Sequence, residues 1–228
     1  MKGVQHIFFD LDHTLWDYDR SSKETLLEIF ESLDLKDYAI SKQEYLQTFY
    51  DVNNQLWHQY NHGEIDREYI KKRRFAEIFE RLEVDTSHSE EASSYFLHHC
   101  STKPYLIEDA LTALRYLHER YQLHIITNGF TDSQTNKLVH SGIADFFEVV
   151  VTSESTGAKK PSPEIFFHSI EKAKASVSNS TMIGDNPRTD ILGAKEIGMS
   201  TVLFDPSGSK RSLADVSIQS LMELIKLF

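Results

Sequence analysis

The feature that most constrains this chain is a series of short, unbroken apolar runs, each ending in a polar cluster. "VQHIFF" stops at Asp10, "LHII" at Thr127 and Asn128, "FFEVVV" at Thr152, Ser153 and Glu154, "TMIG" at Asp185, and "TVLF" at Asp205. Unbroken rather than alternating hydrophobicity is what a strand covered on both faces requires. From residue ~105 onward the runs alternate with helical patterns. "IEDALTALRYLHERY" sets Ala110, Leu111, Leu114 and Leu117 on one face. "SPEIFFHSIEKAKA" opens with Ser162 as an N-cap and Pro163 in the first turn. "NPRTDILGAKEIG" has Asn186 as a cap, Pro187 inside and Gly198 as a stop. This alternation predicts an α/β protein built on a doubly wound parallel sheet. Ligands of such sheets bind outside the carboxyl ends of the strands, which is where the polar clusters fall.

Between the first strand and residue ~105 no comparable run occurs. "SSKETLLEIFESL", "SKQEYLQTFYDVNNQLWHQY", "IDREYIKKRRFAEIFERL" and "SEEASSYFLHHC" read instead as amphipathic helices, and Ser21–Glu24, Ser41–Glu44 and Ser87–Glu90 have capping-box spacing. Roughly eighty residues of helix are too many for a simple crossover. The expected division is therefore 1–16 with 101–228 as the α/β core, and 17–100 as a helical lobe capping the strand ends. A length of 228 residues suits a core carrying such an insertion.

A net charge of −11 argues against nucleic-acid polymers and anionic membranes as principal ligands. It leaves room for a small phosphorylated metabolite, provided that a metal or a few lysines make the site locally positive. The single cysteine, Cys100, excludes an internal disulfide and suits a reducing cytoplasm. With no leader-like N-terminal pattern and no apolar run of membrane-spanning length, a cytoplasmic monomer or homodimer is expected.

Asp10 and Asp12 in "HIFFDLDHTLWDYD" stand one residue apart at a strand end. In an extended chain both side chains leave on the same side, and their repulsion calls for a cation. Together with Asp185 they make a hard-oxygen donor set of the kind Mg²⁺ prefers. One carboxylate beside such an ion can attack phosphorus, and the other can exchange protons with the leaving oxygen and with water. On spacing alone, a pair of capping aspartates explains the motif equally well. Three further features favour the chemical reading. Thr127 and Asn128 offer a hydroxyl and a backbone N–H beside Gly129; Lys160 is held extended by the following proline; Asp185 and Asp190 flank a helix start.

The set "DLDHTL", "ITNG", "KP" and "GDNPRTD" resembles, in order and spacing, the four motifs of the haloacid dehalogenase-like superfamily of hydrolases. The resemblance spans the chain and implies a Rossmann-like core with a helical cap inserted after the first motif. It implies that Asp10 is the nucleophile and a Mg²⁺ ligand, and that Asp12 is the general acid/base, binding metal through its backbone carbonyl. Thr127 and Asn128 would hold the phosphoryl oxygens, Lys160 would stabilise nucleophile and phosphate, Asp185 would complete the metal site, and Asp190 would support it from behind. The superfamily's dehalogenases lack the second aspartate, and its phosphonate hydrolases place a Schiff-base lysine in the cap, for which only Lys71 and Lys72 come into question. "DHTLWDYD", "ITNGFTDSQTNKL", "SESTGAKKPSPEIF" and "IGDNPRTDILGA" are similar to its pyrimidine 5′-nucleotidases, although His13 stands where a small or amide residue is common.

The expected activity is thus Mg²⁺-dependent hydrolysis of a small phosphomonoester, a nucleoside 5′-monophosphate first. Rivals are a sugar-phosphate or phosphoglycolate-type phosphatase, a 2-haloacid dehalogenase, and a non-catalytic ligand-sensing relative, which would need a broken motif. Candidate substrate contacts are Trp16, Tyr18, Phe130 and Arg74, with Trp57, Tyr60 and Arg73 behind them. Aromatic residues at helical spacing more often belong to a core. His58 and His62 have the spacing of a zinc pair but no third ligand, and "KKRR" at 71–74 reads as a solvated helix face.

Overall fold

The computed structural model describes residues 3–228, which divide into two compact units: residues up to Tyr18 with Pro104–Phe228, and Asp19–Lys103. The first unit contains strands β1 (His6–Phe9), β2 (Gln122–Thr127), β3 (Phe147–Thr152), β4 (Ser180–Gly184), β5 (Ser200–Phe204) and β6 (Val216–Ile218). They form one six-stranded sheet in the order β3-β2-β1-β4-β5-β6, parallel at every pairing. The five apolar runs supply β1 to β5. β6 is three residues long and carries Ser217 at its centre, too short for a hydrophobic signature.

Four longer helices are α1 (Tyr18–Ser32), α2 (Lys42–Asn61), α3 (Arg67–Arg81) and α4 (Ser89–Ser101). α5 (Ala110–His118), α6 (Thr131–His140), α7 (Ser153–Thr156), α8 (Pro163–Lys172), α9 (Gly193–Glu196) and α10 (Leu224–Leu227) follow in the sheet unit. α8 packs Ile165, Phe166 and Ile170 against Phe8, Ile126, Val151 and Met182 on one face of the sheet. Strand alternation sends Ile7 and Phe9, both fully buried, to the opposite face. α5 buries Ala110, Ala113, Leu114 and Leu117, so Ala113 takes the place expected for Leu111. Among the described residues no helix is long and apolar enough to cross a membrane.

In the helical unit, the side chain of Ser41 caps α2 by accepting from the Glu44 N–H, and Asp66 caps α3 likewise. The other two serines expected to open helices do not act as N-caps. Ser21 lies buried inside α1, which starts at Tyr18, and Ser87 sits in a short 3₁₀ turn anchored by Asp85. In the sheet unit Asn186 does cap the segment after β4, accepting from Arg188 and Thr189. That segment runs as a π-helical turn, Pro187–Leu192, before α9 begins.

Candidate active site

β1 and β4 run parallel with Phe9 opposite Ile183, so the residues just past them leave neighbouring strand ends together. Asp10 continues the ladder by donating its N–H to the Ile183 carbonyl at 2.9 Å. Asp185 follows Gly184 on the adjacent strand. Asp190 returns from the π turn onto the backbone of Gly184, where an added Cβ would lie 2.3 Å from its Oδ2. Only glycine permits that approach. One carboxylate oxygen from each of Asp10, Asp185 and Asp190 lies within 4.8 Å of the others.

Lys160 enters this group from the loop before α8. Its Nζ lies 2.5 Å from Asp10 Oδ1 and 2.7 Å from Asp190 Oδ1, with the side chain 2% exposed. Asn128 fixes the lysine's backbone from β2's end: its Oδ1 accepts the Lys160 N–H at 2.7 Å and its Nδ2 donates to the Lys160 carbonyl at 3.0 Å. The Asn128 side chain therefore holds the Lys160 backbone in place. The Thr127 hydroxyl accepts from the Gly129 N–H at 3.1 Å and from Gln134 Nε2 at 2.5 Å, so its own proton remains to donate.

Burial pushes the Asp10 carboxyl well above the usual carboxylate range; Lys160 opposes the rise, while the charges of Asp190 and Asp185 add to it. Asp185 is raised too, by burial and by Asp190, against the pull of Lys210, whose Nζ sits 3.2 Å from its Oδ2. Burial alone would depress Lys160, yet Asp10 and Asp190 hold it above the usual lysine range. Carboxyls driven upward despite two lysines mark a place short of positive charge. An all-oxygen donor set with that deficit fits a hard divalent cation.

Asp12 behaves differently. β1 has already ended, and the chain turns at His13, which adopts a left-handed φ of 62°. Histidine is among the residues that tolerate that region, so its presence in the turn is accommodated. The turn separates the two carboxylates that an extended chain would leave on one side. Asp12 is bound by Lys137 Nζ at 2.7 and 2.9 Å and by Gln134 Nε2 at 2.9 Å. Burial raises its carboxyl, but the charge and hydrogen bonds of Lys137, with Gln134, outweigh that and leave it below the usual range. Its side chain is not one of the clustered three. Gln134, Lys137 and Lys210 are the site residues that motif reading missed. A polar pair three apart in "SQTNK", at helical spacing, was the available signal for the first two.

Several substrate candidates lie elsewhere. Arg74 is 3% exposed in the core of the helical unit, where its Nη1 donates to Asn53 Oδ1 at 3.2 Å and its guanidinium lies 4.6 Å from the Phe96 ring centre. The reason is helical phase: Ile70, Arg74 and Ile78 share α3's buried stripe. Arg73 faces Glu77 and Glu80, and Lys71 faces Glu68, as a solvated face does. Trp16 is fully buried beneath Lys137, 4.7 Å from Nζ to ring centre, and Phe130 is 4% exposed, so neither presents an open ring face. Tyr18 is half-buried. Trp57 packs edge-on to Tyr60 at 5.3 Å. His58 and His62 stack on each other, and no histidine joins a metal-spaced cluster among the described residues.

A pyrimidine 5′-nucleotidase of Escherichia coli, YjjG, is 32% identical over 197 residues, 86% of this chain and 83% of its own length. A glyceraldehyde 3-phosphate phosphatase of Pyrococcus furiosus is 28% identical over 211 residues, 90% of this chain and 82% of its own. The crystal structure of the HAD-hydrolase YfnB of Bacillus subtilis, bound to magnesium, superposes with a TM-score of 0.90 over 99% of both chains at 24% identity, which establishes the shared fold. The sequence pattern of haloacid dehalogenase-like hydrolases matches residues 7–204, a span that begins within β1 and ends with β5. With the sheet, the four strand-end motifs and this match in agreement, the chain belongs to the haloacid dehalogenase-like hydrolases.

Proposed function

We propose that this protein is a Mg²⁺-dependent phosphomonoesterase acting on nucleoside 5′-monophosphates, pyrimidine ones first, through an aspartyl phosphate on Asp10. The observation that carries the reading is Lys160 buried between Asp10 and Asp190, inside a three-carboxylate cluster at the strand ends. Asp10 and Asp185 would hold the ion by side-chain oxygens and Asp12 by its backbone carbonyl, while Asp190 fixes Lys160. Bound Mg²⁺ supplies the charge that lets a carboxylate face an anionic ester.

An Asp10 carboxylate oxygen forms a bond to phosphorus as the bond to the ester oxygen breaks. Asp12, which must take up a proton when the anionic ester lies beside it, gives that proton to the leaving oxygen, and the nucleoside departs as the alcohol. Water then attacks the phosphorus of the aspartyl phosphate and passes its proton to Asp12, releasing inorganic phosphate and restoring both carboxyls. The Thr127 hydroxyl and the Asn128 backbone N–H hold phosphoryl oxygens throughout, and Lys160 offsets charge between them and Asp10. We take the helical unit, Asp19–Lys103, as the cap that selects the leaving group.

The test is phosphate release by the purified protein, stripped with chelator and resupplied with Mg²⁺, across nucleoside monophosphates, triose phosphates, phosphoglycolate and 2-haloacids. UMP or dUMP should lead, and activity should vanish with chelation and return with Mg²⁺. A higher kcat/KM for a triose phosphate or phosphoglycolate replaces the substrate class, as the 28%-identical phosphatase would favour. Halide release from a 2-haloacid without phosphate-ester turnover refutes the phosphatase reading.

A further inference from the structure

We propose that Lys210, delivered by a loop folded around Asp205, is a positioning residue that selects the cation. By holding one oxygen of Asp185 it confines that carboxylate to a single metal contact, which suits Mg²⁺ and disfavours Ca²⁺. This rests on the metal-dependent reading above. Mg²⁺ demands near-octahedral geometry and takes few carboxylate oxygens, whereas Ca²⁺ accepts roughly six to eight oxygens and often draws both from one carboxylate. The number of oxygens each aspartate can offer therefore discriminates between two ions of the same charge.

Asp205 ends β5 as Asp10 ends β1, yet it is not among the clustered three. It is 3% exposed, and its carboxylate folds the chain that follows. Oδ1 accepts from the Ser207 N–H at 3.2 Å and from the Ser207 hydroxyl at 2.6 Å, while Oδ2 accepts the Lys210 N–H at 2.6 Å. The Gly208 N–H closes the turn on the Asp205 carbonyl at 3.0 Å, and the Asp205 N–H is itself bound to the Ile218 carbonyl of β6 at 2.8 Å. This loop brings the Lys210 ammonium to Asp185, where it donates to the backbone carbonyl at 2.6 Å and to Oδ2 at 3.2 Å. A single half-exposed ion pair would fix little. Here the second bond, to the carbonyl, and the anchored loop fix the ammonium from both ends.

Lys160 treats Asp10 in the same way, taking Oδ1 at 2.5 Å. Asp190 is engaged at both oxygens, Oδ1 by Lys160 at 2.7 Å and Oδ2 by the Asn186 N–H at 2.9 Å. Asp10 and Asp185 are thus each left with one oxygen for a cation, the other being held by a lysine. Lys160 also touches the nucleophile, so Lys210 is the lysine whose removal isolates the effect on the ion.

The experiment is calorimetric titration of the chelator-stripped protein with MgCl₂ and, separately, with CaCl₂, without substrate. It reads the ratio of the two dissociation constants, Kd for Ca²⁺ over Kd for Mg²⁺. Loss of a nearby positive charge strengthens both divalent ions alike and cancels from the ratio; a second Asp185 oxygen helps Ca²⁺ alone. Lys210→Met should lower the ratio by ~10-fold. Lys210→Arg, which keeps a charged donor, should stay within about twofold of wild type. Asp205→Asn sets an amide N–H against that of Lys210 and should shift the ratio the same way by less; an unchanged ratio there overturns delivery by the loop. Melting temperatures measured against ion concentration give the same ratio if the heats are too small to fit. An unchanged or raised ratio in Lys210→Met overturns the proposal and leaves the phosphatase reading intact. If the wild-type protein binds neither ion, the inference fails; if Mg²⁺-dependent phosphate release is absent as well, the phosphatase reading fails with it.

Discussion

Lys160 in the sheet unit and Arg74 in the helical unit are both buried cations, and they are accommodated by different physics. Lys160 in the sheet unit sits between two carboxylates at 2.5 and 2.7 Å. Arg74 in the helical unit has a neutral amide oxygen at 3.2 Å and lies against the rings of Phe49, Phe75 and Phe96. A buried charge facing opposite charges stores an electrostatic gradient that a substrate anion can enter. A buried charge resting on aromatic faces is held by dispersion and ring quadrupoles, which no substrate needs to disturb. The contrast teaches that burial of a charge does not by itself mark a reactive place; the sign of its neighbours does.

The hardest test of this contrast is Asp10→Asn. It should reduce kcat by ~10⁴-fold or more, as loss of a nucleophile does, while circular dichroism shows an unchanged fold. Substantial turnover would remove the sheet-unit cation from any role beside a nucleophile. Next is the pair Lys160→Met and Arg74→Met. The first should lose ~3–5 kcal/mol of stability, since removing one partner leaves buried charge uncompensated, and should lose turnover with it. The second should also lower the melting temperature, yet leave kcat/KM of the folded enzyme within about twofold, because no reacting group touches it. If Arg74→Met abolished turnover at temperatures where it remains folded, the distinction between the two cations would fail.

Gly184→Ala sharpens the geometry at smaller scale. Its new Cβ would meet Asp190 Oδ2 at 2.3 Å, so Asp190 must yield. A cost of ~1–3 kcal/mol is expected for such overpacking, together with weaker Mg²⁺ binding by calorimetry. Unchanged binding would mean that Asp190 has no part in the cluster.

The smallest effect is a pH slope away from the site. His124, stacked near Phe8 and His6, is lowered by burial from 6.5 to about 4. Its folded value lies below its unfolded one, so its contribution is present above pH 6.5 and is lost as pH falls toward 4. His124→Gln should flatten the decline in chemical-denaturation midpoints across that window, and an unaltered slope would assign the decline to other groups.

Sequence reading served the two units unequally, for physical reasons. β1, β2, β4 and β5 announce themselves because burial on both faces forces unbroken apolar runs, and parallel register brings the polar residues at the ends of β1 and β4 together. Asp10, Lys160, Asp185 and Asp190 were therefore legible as strand-end residues before any coordinates. Lys137 and Gln134 were not, since a polar pair on a helix looks the same whether it meets solvent or a carboxylate. In the helical unit Arg74 was misread because "KKRR" looks like one solvated face, whereas a helix separates residues 73 and 74 by about 100°. Capping residues were ambiguous for a related reason. A serine followed by glutamate three residues later satisfies the pattern inside a helix, as at Ser21, as well as at its start.

The path by which the chain leaves and re-enters the sheet unit has a bearing on its modularity. Trp16 bridges Leu106, Asp17 donates its N–H to the Tyr105 carbonyl at 3.0 Å, and Ile107 donates to that of Leu15 at 2.9 Å. Departure and return are thus adjacent rungs of one small ladder, and the 85 residues between them (19 through 103) form a detour that begins and ends at the same spot. A detour of that kind adds little entropic burden to closing the sheet, whatever its length. Because its two ends meet on one ladder, the length of the detour can vary without moving the ends of the strands it connects.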